Sequence, residues 1–365
     1  MSIRVGVIGV GIIGKKHLND YKNTPNVEIV AIADINEQAL KEAQKMFNVP
    51  HAYKDFRELL KRDDIDTVDV CVHNNLHAPI AIEALKAGKH VYVEKPIAST
   101  YADAKAMIDT AKEYKRMLHV QMDPVFSVET RLGKSLIDEG RLGEIYFARA
   151  TFHRWRGRPY VDGYATPPFV QKYWAGGGAM LDVGVYPISQ ILYLLNMPKI
   201  ERIKGKVYQK IPMNEQRKKE SNYDVEEFAT GIVQFENDLN MDFAIAWAAN
   251  IDSFEGSYIL GSLGGIRLNP FGFFTVMGDA NASVSFDLKN FDYRRHQLYP
   301  NEEGYDSSFH HWIYALEGKV NLLPTAEIAL QHIIIAEGTY LSSRLRREVT
   351  VEEVISNSKP MAIKV

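Results

Sequence analysis

The first thirty-odd residues change character three times. Apolar Ile3, Val5, Val7, Ile8 and Val10 form a short run broken by Gly9, Gly11 and Gly14; a helical spacing follows, and a second apolar run, Val27, Ile29, Val30, Ala31 and Ile32, ends at Asp34. Short apolar runs bounded by glycines or acids predict strands, and a 3.6-residue spacing predicts a helix. The alternation continues with a helix over Glu37–Phe47, a strand over Ile65–Val72, a helix over Pro79–Ala87 stopped by Gly88, a strand over His90–Val93, a helix over Ala102–Tyr114 and a strand over Met117–Met122. Strands alternating with helices predict an α/β unit with a doubly wound parallel sheet, residues 1–123, whose ligands bind at the carboxyl ends of the strands. Beyond Pro124 one more helix, Val128–Glu139, leads into strands at Ile145–Phe152, Ile203–Tyr208, Val225–Phe235, Met241–Trp247 and Ser257–Leu260, with closing helices at Ser307–Leu316 and Thr325–Leu345. Strands without helices between them predict an α+β domain, residues 124–365, with a mostly antiparallel sheet.

Composition changes this picture little. A chain of 365 residues exceeds one ordinary core, so two domains are expected. Hydrophobic residues at 46% and charged residues at 24% suit a soluble globular protein, and a net charge of −3 offers no basic footprint for nucleic acid or an anionic membrane. A single cysteine, Cys71, excludes an internal disulfide and predicts a reducing, cytoplasmic setting. Ser2 and Arg4 interrupt the start too early for a signal peptide, and no apolar run has the length of a membrane span.

The chemistry starts at the first turn. Gly9, Gly11 and Gly14 have the G-x-G-x-x-G spacing at a strand-to-helix junction: the first for the tight turn, the second for approach of a pyrophosphate, the third for close packing of helix on strand. Ile12 and Ile13 lie between the glycines on the same cofactor-binding turn, and Lys15, Lys16 and His17, cations in a first turn where the dipole disfavours them, are rationalised by a bound anion. Asp34, about 20 residues on, is placed to accept the ribose hydroxyls, which predicts NAD over NADP because a carboxylate repels a 2′-phosphate. Two more strand ends carry cofactor-side candidates: His73, Asn74, Asn75 and His77 after Val72, and Glu94, Lys95 and Pro96 after Val93. The first group also reads as a polar loop capping the helix from Pro79. A lysine at a sheet's carboxyl edge faces the cofactor crevice.

In the second half, Arg154, Trp155, Arg156 and Arg158 precede the long Pro- and Gly-rich stretch Pro159–Pro168, which reads as a pocket wall, a subunit contact or a surface loop; the arginines suit an anionic group on a substrate or an adjacent subunit. Gly176, Gly177 and Gly178 permit close backbone approach to a ligand, and Asp182 and Tyr186, four apart, fall on one face of the following helix, as a site for a hydroxylated substrate or as a surface acid and a core tyrosine. No metal is expected.

Together these stretches resemble the Gfo/Idh/MocA oxidoreductase family over nearly the full chain: Gly9 to Gly14, the lead from Ala84 through Gly88 and Val91 into Glu94-Lys95-Pro96, Leu136 to Gly143, and Gly176 to Tyr186. The resemblance implies a Rossmann domain, an α+β domain whose open sheet makes a homodimer or homotetramer, and hydride exchange between NAD(P) and a sugar or polyol. It also implies a site built from Lys95 and an Asp-x-x-x-His pair, here Asp182 and Tyr186. The tyrosine is similar to the branch that includes glucose-fructose oxidoreductase and points away from inositol chemistry; His73-Asn74-Asn75 stands where Thr-Pro-Asn is common, implying a shifted nicotinamide-side loop. Lys95, Asp182 and Tyr186 are the expected catalytic residues. Tyr186 takes the hydroxyl proton with Lys95 lowering its pKa, or the two roles are exchanged, since unperturbed tyrosine and lysine titrate near about 10. An NAD-dependent glycosidase and a non-catalytic sugar sensor on the same fold are the rival readings.

Overall fold

A computed structural model describes residues Ser2–Val365. By its contacts the chain forms two compact units: one runs through Gln121 and takes in Asn301–Glu327 and Pro360–Val365, and the other comprises Met122–Pro300 and Ile328–Lys359. The linear division at residue 123 assigns Asn301–Glu327 to the second domain; by contact it belongs with the first.

The first unit is a six-stranded parallel sheet of β1 (Ile3–Ile8), β2 (Val27–Ala33), β3 (His51–Tyr53), β4 (Thr67–Val70), β5 (His90–Val93) and β6 (Leu118–Val120) in the order 3-2-1-4-5-6. The strand order reverses between β1 and β4, and that switch point opens a crevice at the strands' carboxyl ends. Parallel strands are covered on both faces, which is why all of β4 is buried, Thr67 and Asp69 included. One cover is the helix Ser308–Leu316: Phe309, Trp312 and Ile313 join Val5, Val7, Leu18, Tyr21, Ile32 and Tyr92 in a single core. The Tyr92 hydroxyl donates to Ser308 Oγ at 2.9 Å, and His119 bridges Ser308 Oγ at 3.0 Å and Thr325 Oγ1 at 2.9 Å. These distant partners, not proximity in sequence, place the segment in this unit.

The last residues of the chain lie on the same unit. Asp103 Oδ2 accepts the N–H groups of Met361 at 2.8 Å and Ala362 at 3.1 Å, and the Ile363 N–H donates to the Asn75 carbonyl at 2.9 Å. That last bond corrects the expected helix start. The helix spans Asn74–Lys86 with Pro79 inside it. A proline cannot donate to the carbonyl four residues back, which is Asn75, and Ile363 supplies the missing donor.

The second unit is a nine-stranded sheet: β7 (Ile145–Phe152), β8 (Ile200–Tyr208), β9 (Phe228–Phe235), β10 (Asn240–Ala246), β11 (Tyr258–Gly261), β12 (Gly264–Leu268), β13 (Phe271–Met277), β14 (Ala280–Val284) and β15 (Val349–Thr350), in the order 14-13-12-11-7-10-9-8-15. Every pairing is antiparallel except β7 with β10. One face is core: Ala148, Val233, Phe243 and Ile259 are buried, and the helix Thr325–Leu345 lies close enough that Gly338 leaves no room for a side chain against Ile203. Directly paired residues share a face, so Tyr208 with Phe228 and Lys204 with Ile232 lie on the opposite face, where Tyr208 and Ile232 are exposed. Among the described residues no helix is long and apolar enough to cross a membrane.

Candidate active site

Gly9 has φ +89°, and a Cβ there would fall 2.5 Å from the Cys71 carbonyl oxygen; one on Gly14 would fall 1.9 Å from the Gly9 carbonyl oxygen. Gly11 is different. A Cβ there meets nothing within 4 Å, and the adjoining Ile12 is 75% exposed. The helix Ile12–Asn23 has Gly11 as its N-cap, no side-chain cap and no acid in its first turn, so its leading N–H groups are left for a ligand. An uncapped twelve-residue helix next to open backbone fits a pyrophosphate.

The first-turn cations have partners within the protein. Lys15 pairs with Glu42 at 2.9 Å, Lys16 with Asp20 at 3.0 Å, and His17 is fully buried between two carboxylates. What faces a phosphate at this turn is backbone N–H. Asp34, half-buried after β2, accepts Val10 N–H at 2.8 Å on one oxygen and Asn36 N–H at 2.7 Å on the other. It thereby ties the glycine turn to the end of β2, and each carboxylate oxygen keeps a further lone pair for a ribose hydroxyl.

The other cofactor-side candidates divide by burial. His73 and Asn74 are half-buried at the start of their helix, whereas Asn75 and His77 are buried. His77 sits between the carbonyls of Pro96 at 2.8 Å and Val72 at 3.0 Å, joining the two loops, and burial holds it below the usual imidazole range. Glu94 also turns inward: Oε1 meets His17 Nε2 at 2.8 Å and Oε2 accepts the Lys95 N–H at 2.9 Å. On the far side of the ring, His17 Nδ1 meets Asp69 Oδ2 at 2.8 Å and Cys71 Sγ at 3.1 Å. The donor atoms of His17, Asp69 and Cys71 lie within 4.8 Å of one another, but these are hydrogen-bond lengths and the second carboxylate on the other ring nitrogen makes the group an ion cluster rather than a metal centre. Sequence reading did not connect these residues, because a strand-end aspartate and a helix histidine carry no local signature of each other.

In the second unit, Asp182 and Tyr186 do not share one helix. The chain makes the helix Ala179–Asp182, breaks, and restarts as Val185–Leu194. Pro187 has no N–H for the Val183 carbonyl, and Gly184 packs where a Cβ would strike the Met180 carbonyl at 2.5 Å. Asp182 Oδ2 accepts the Trp247 indole N–H at 2.9 Å, a partner from just beyond β10 that sequence reading missed. The Tyr186 ring lies 6.5 Å from that of Phe152 at the end of β7. Gly177 and Gly178 make room for protein, not ligand: a Cβ on Gly177 would sit 2.2 Å from the Tyr340 hydroxyl and one on Gly178 1.9 Å from the Glu226 carbonyl oxygen. Glu226, also missed, is buried there and accepts Gly178 N–H, Met180 N–H and the Tyr340 hydroxyl, each at 2.9 Å.

The arginine stretch likewise divides. Trp155 is 57% exposed and Arg156 is exposed. Arg154 donates to the Tyr164 hydroxyl at 2.6 Å, and that hydroxyl donates to the Gly157 carbonyl at 2.6 Å, while burial, partly offset by Arg154, pushes Tyr164 up to about 12. Arg158 is 1% exposed, with its donors spent on Asp162, Glu227 and the carbonyls of Ile211 and Pro212. Every N–H of that guanidinium is engaged, so it braces the loop and has none left for a substrate.

A 3-2-1-4-5-6 parallel sheet with an uncapped glycine turn and a strand-end acid defines a dinucleotide-binding Rossmann unit, here joined to a mixed-sheet unit. The profile described as "Oxidoreductase family, NAD-binding Rossmann fold" matches residues 3–122, and that of the GFO/IDH/MocA C-terminal domain matches residues 130–267. The chain belongs to the GFO/IDH/MocA oxidoreductase family, and its first unit carries that family's NAD-binding fold. It is 30% identical over 256 residues to a D-glucoside 3-dehydrogenase of Escherichia coli strain K12, covering 68% of this chain and 71% of that one. It is 34% identical over 209 residues to a levoglucosan dehydrogenase of Pseudarthrobacter phenanthrenivorans, an alignment that spans 53% of this chain and about half, 51%, of the relative. A solved levoglucosan dehydrogenase complex with NADH and levoglucosan superposes with a TM-score of 0.81 at 23% identity, over 96% of this chain and 100% of that one.

Proposed function

We propose that the protein is an NAD-dependent dehydrogenase of a sugar, sugar derivative or polyol, with Lys95, Asp182 and Tyr186 acting on the CH–OH group that is oxidised. The observation that carries the reading is the setting of Lys95: it follows β5 at the carboxyl edge, two strands from open Gly11, with its backbone N–H fixed by Glu94. The named relatives, dehydrogenases of a glucoside and of levoglucosan, support the substrate class and do not favour the glycosidase or sensor readings.

The leading N–H groups of the helix Ile12–Asn23 hold the pyrophosphate and Asp34 holds the ribose, with Ile12, Ile13, His73 and Asn74 bordering the cofactor. Bound NAD supplies the hydride acceptor. For hydride to leave the carbinol carbon, its hydroxyl proton must pass to a nearby base. Tyr186 takes that proton, and the Lys95 ammonium stabilises the charge that develops on the oxygen. Asp182, oriented by Trp247, holds a neighbouring hydroxyl. Arg154, Trp155 and Arg156 line the substrate side or an adjacent subunit. Lys95→Ala and Tyr186→Phe should each lower kcat by about 10² to 10⁴ while NADH still binds. A near-normal kcat for Tyr186→Phe beside an inactive Lys95→Ala reverses the two roles; near-normal kcat for both removes the site.

The same reading makes the protein a homodimer or homotetramer through the open face of its second sheet, supported by exposed Tyr208, Ile232 and Phe274 on that face. It also makes the protein cytoplasmic, supported by Cys71 being a free thiol.

A further inference from the structure

We propose that His17 is a positioning residue for Lys95: held between Asp69 and Glu94, it fixes the carboxylate that fixes the lysine's backbone, so that the phosphate-binding helix and the lysine-bearing strand end move as one piece. The inference rests on the role of Lys95 proposed above, and it stands on a continuous chain of contacts. Asp69 Oδ2 to His17 Nδ1 is 2.8 Å, His17 Nε2 to Glu94 Oε1 is 2.8 Å, and Glu94 Oε2 to Lys95 N is 2.9 Å. His17 itself is on the helix Ile12–Asn23 whose N-terminus receives the pyrophosphate.

The geometry sets the charge state. A neutral imidazole has one N–H and one lone pair, so one of two carboxylates 2.8 Å away would face a lone pair; an imidazolium donates to both. The Cys71 thiol lies 3.1 Å from Nδ1 and 3.3 Å from Asp69 Oδ1, and burial pushes that thiol up, so it stays protonated as a donor to Asp69. Tyr92 stands at 5.8 Å edge-on from β5 and Phe309 at 4.8 Å, Tyr21 from the same helix as His17 faces Asp69, and Lys95 and His77 act on Glu94. Burial alone works against charge on His17 and on Glu94. The Asp69 carboxylate beside the ring outweighs it, with the neutral Cys71 sulfur accepting from Nδ1, and holds His17 well above the usual imidazole range; the His17 hydrogen bond, with the positive charges nearby, holds Glu94 below the usual carboxylate range.

The functional consequence follows from where the cluster ends. A lysine on a strand-end loop has a mobile backbone unless something fixes it, and misplacement of a reacting group by about 1 Å costs on the order of 10²-fold in rate. Here the anchor is a charge-assisted bond reaching the Lys95 N–H through one residue. The anchor and the phosphate cradle share a helix, so a single ion cluster registers the reactive end of the cofactor site against its phosphate end.

Nitrogen-resolved NMR of the unliganded wild-type protein tests the charge state without any turnover. The His17 ring should carry both protons at pH 8, where an ordinary histidine of pKa about 6.5 has lost one; a single-proton ring at pH 8 overturns the proposal. Glu94→Gln, nearly isosteric, should move that titration down into the neutral range and lower kcat about tenfold or more, with the NADH dissociation constant within about threefold of wild type. His17→Ala should lower kcat about 10²-fold with the same split. Loss of NADH binding in step with kcat, or an unchanged kcat in folded Glu94→Gln, contradicts positioning. The two readings separate cleanly: if Lys95→Ala keeps full activity, the role of Lys95 fails, while the doubly protonated ring in the NMR spectrum stands or falls on its own.

Discussion

Two glycine turns look alike in the sequence and do opposite things. At Gly11 an added Cβ would enter open space, beside helix N–H groups that the protein does not cap. At Gly177 and Gly178 it would strike the Tyr340 hydroxyl and the Glu226 backbone. The first turn clears room for a ligand; the second lets two stretches of chain touch. Glycine is required wherever backbone must be approached closely, and only the surroundings say by what. What separates the two turns is the neighbouring polar groups: uncapped N–H groups at the first, a buried glutamate that already takes the N–H groups at the second.

The sharpest break in that comparison is Gly178→Ala. The methyl group would meet backbone, which cannot swing aside, so stability should fall by about 3 kcal/mol, the upper end for overpacking, while NADH binding by the folded fraction is unchanged. Urea unfolding with and without NADH measures both; weakened NADH binding at full stability would turn the second glycine run back into a ligand site.

Close behind in size is the acid response of a residue that packs the first unit and touches no ligand. His311 Nδ1 donates to the Gly304 carbonyl at 3.0 Å and Nε2 accepts the Leu323 N–H at 2.9 Å, a pattern that only a neutral ring satisfies; burial lowers its pKa to about 4. Because the folded pKa is depressed and the charged form belongs to the unfolded chain, unfolding takes up a proton below pH 6.5. The contribution is complete above about pH 6.5 and is lost as pH falls towards 4, on the order of 3 kcal/mol in all. An NMR midpoint for this ring near 6.5 would contradict the packing.

Gly11→Ala is the mirror of the first prediction: NADH binding should weaken about tenfold, or about 1.4 kcal/mol, with stability within about 0.5 kcal/mol of wild type. Calorimetric titration decides it, and unchanged NADH affinity would mean that nothing approaches this backbone. The smallest expected effect concerns the acid beside the same turn. Asp34 should give NAD at least a tenfold advantage over NADP in kcat/KM, and Asp34→Ser should narrow the ratio; equal use of both cofactors by the wild type would remove the ribose role.

The first unit was more legible than the second because its signals are local. Glu37–Phe47 and His90–Val93 form where their spacing predicts, and the glycine turn, Asp34 and Lys95 stand at strand ends in the expected order. What was illegible depends on distant chain. The helix at Asn74 begins five residues before Pro79 because Ile363 supplies a donor from the other end of the sequence, and Ser308–Leu316 joins the first core through Tyr92 and His119. In the second sheet β12 to β14 went unread: Gly264, Gly265, Gly272 and the Asn269-Pro270 turn dilute the alternation that marks a half-buried strand. The candidate site shows the same limit. Residue types were readable, but Trp247 behind Asp182, His17 behind Glu94 and the buried ion pairs of Arg158 are tertiary facts.

The most direct test of the whole account is NADH formation, followed by absorbance, with purified protein and NAD against a panel of glucosides, anhydrosugars, inositols, sugar acids and polyols. The account predicts steady, stoichiometric NADH production with at least one member, abolished by Lys95→Ala. Cleavage of a glycoside with no net NADH, or tight sugar binding with no oxidation of any member, would contradict it.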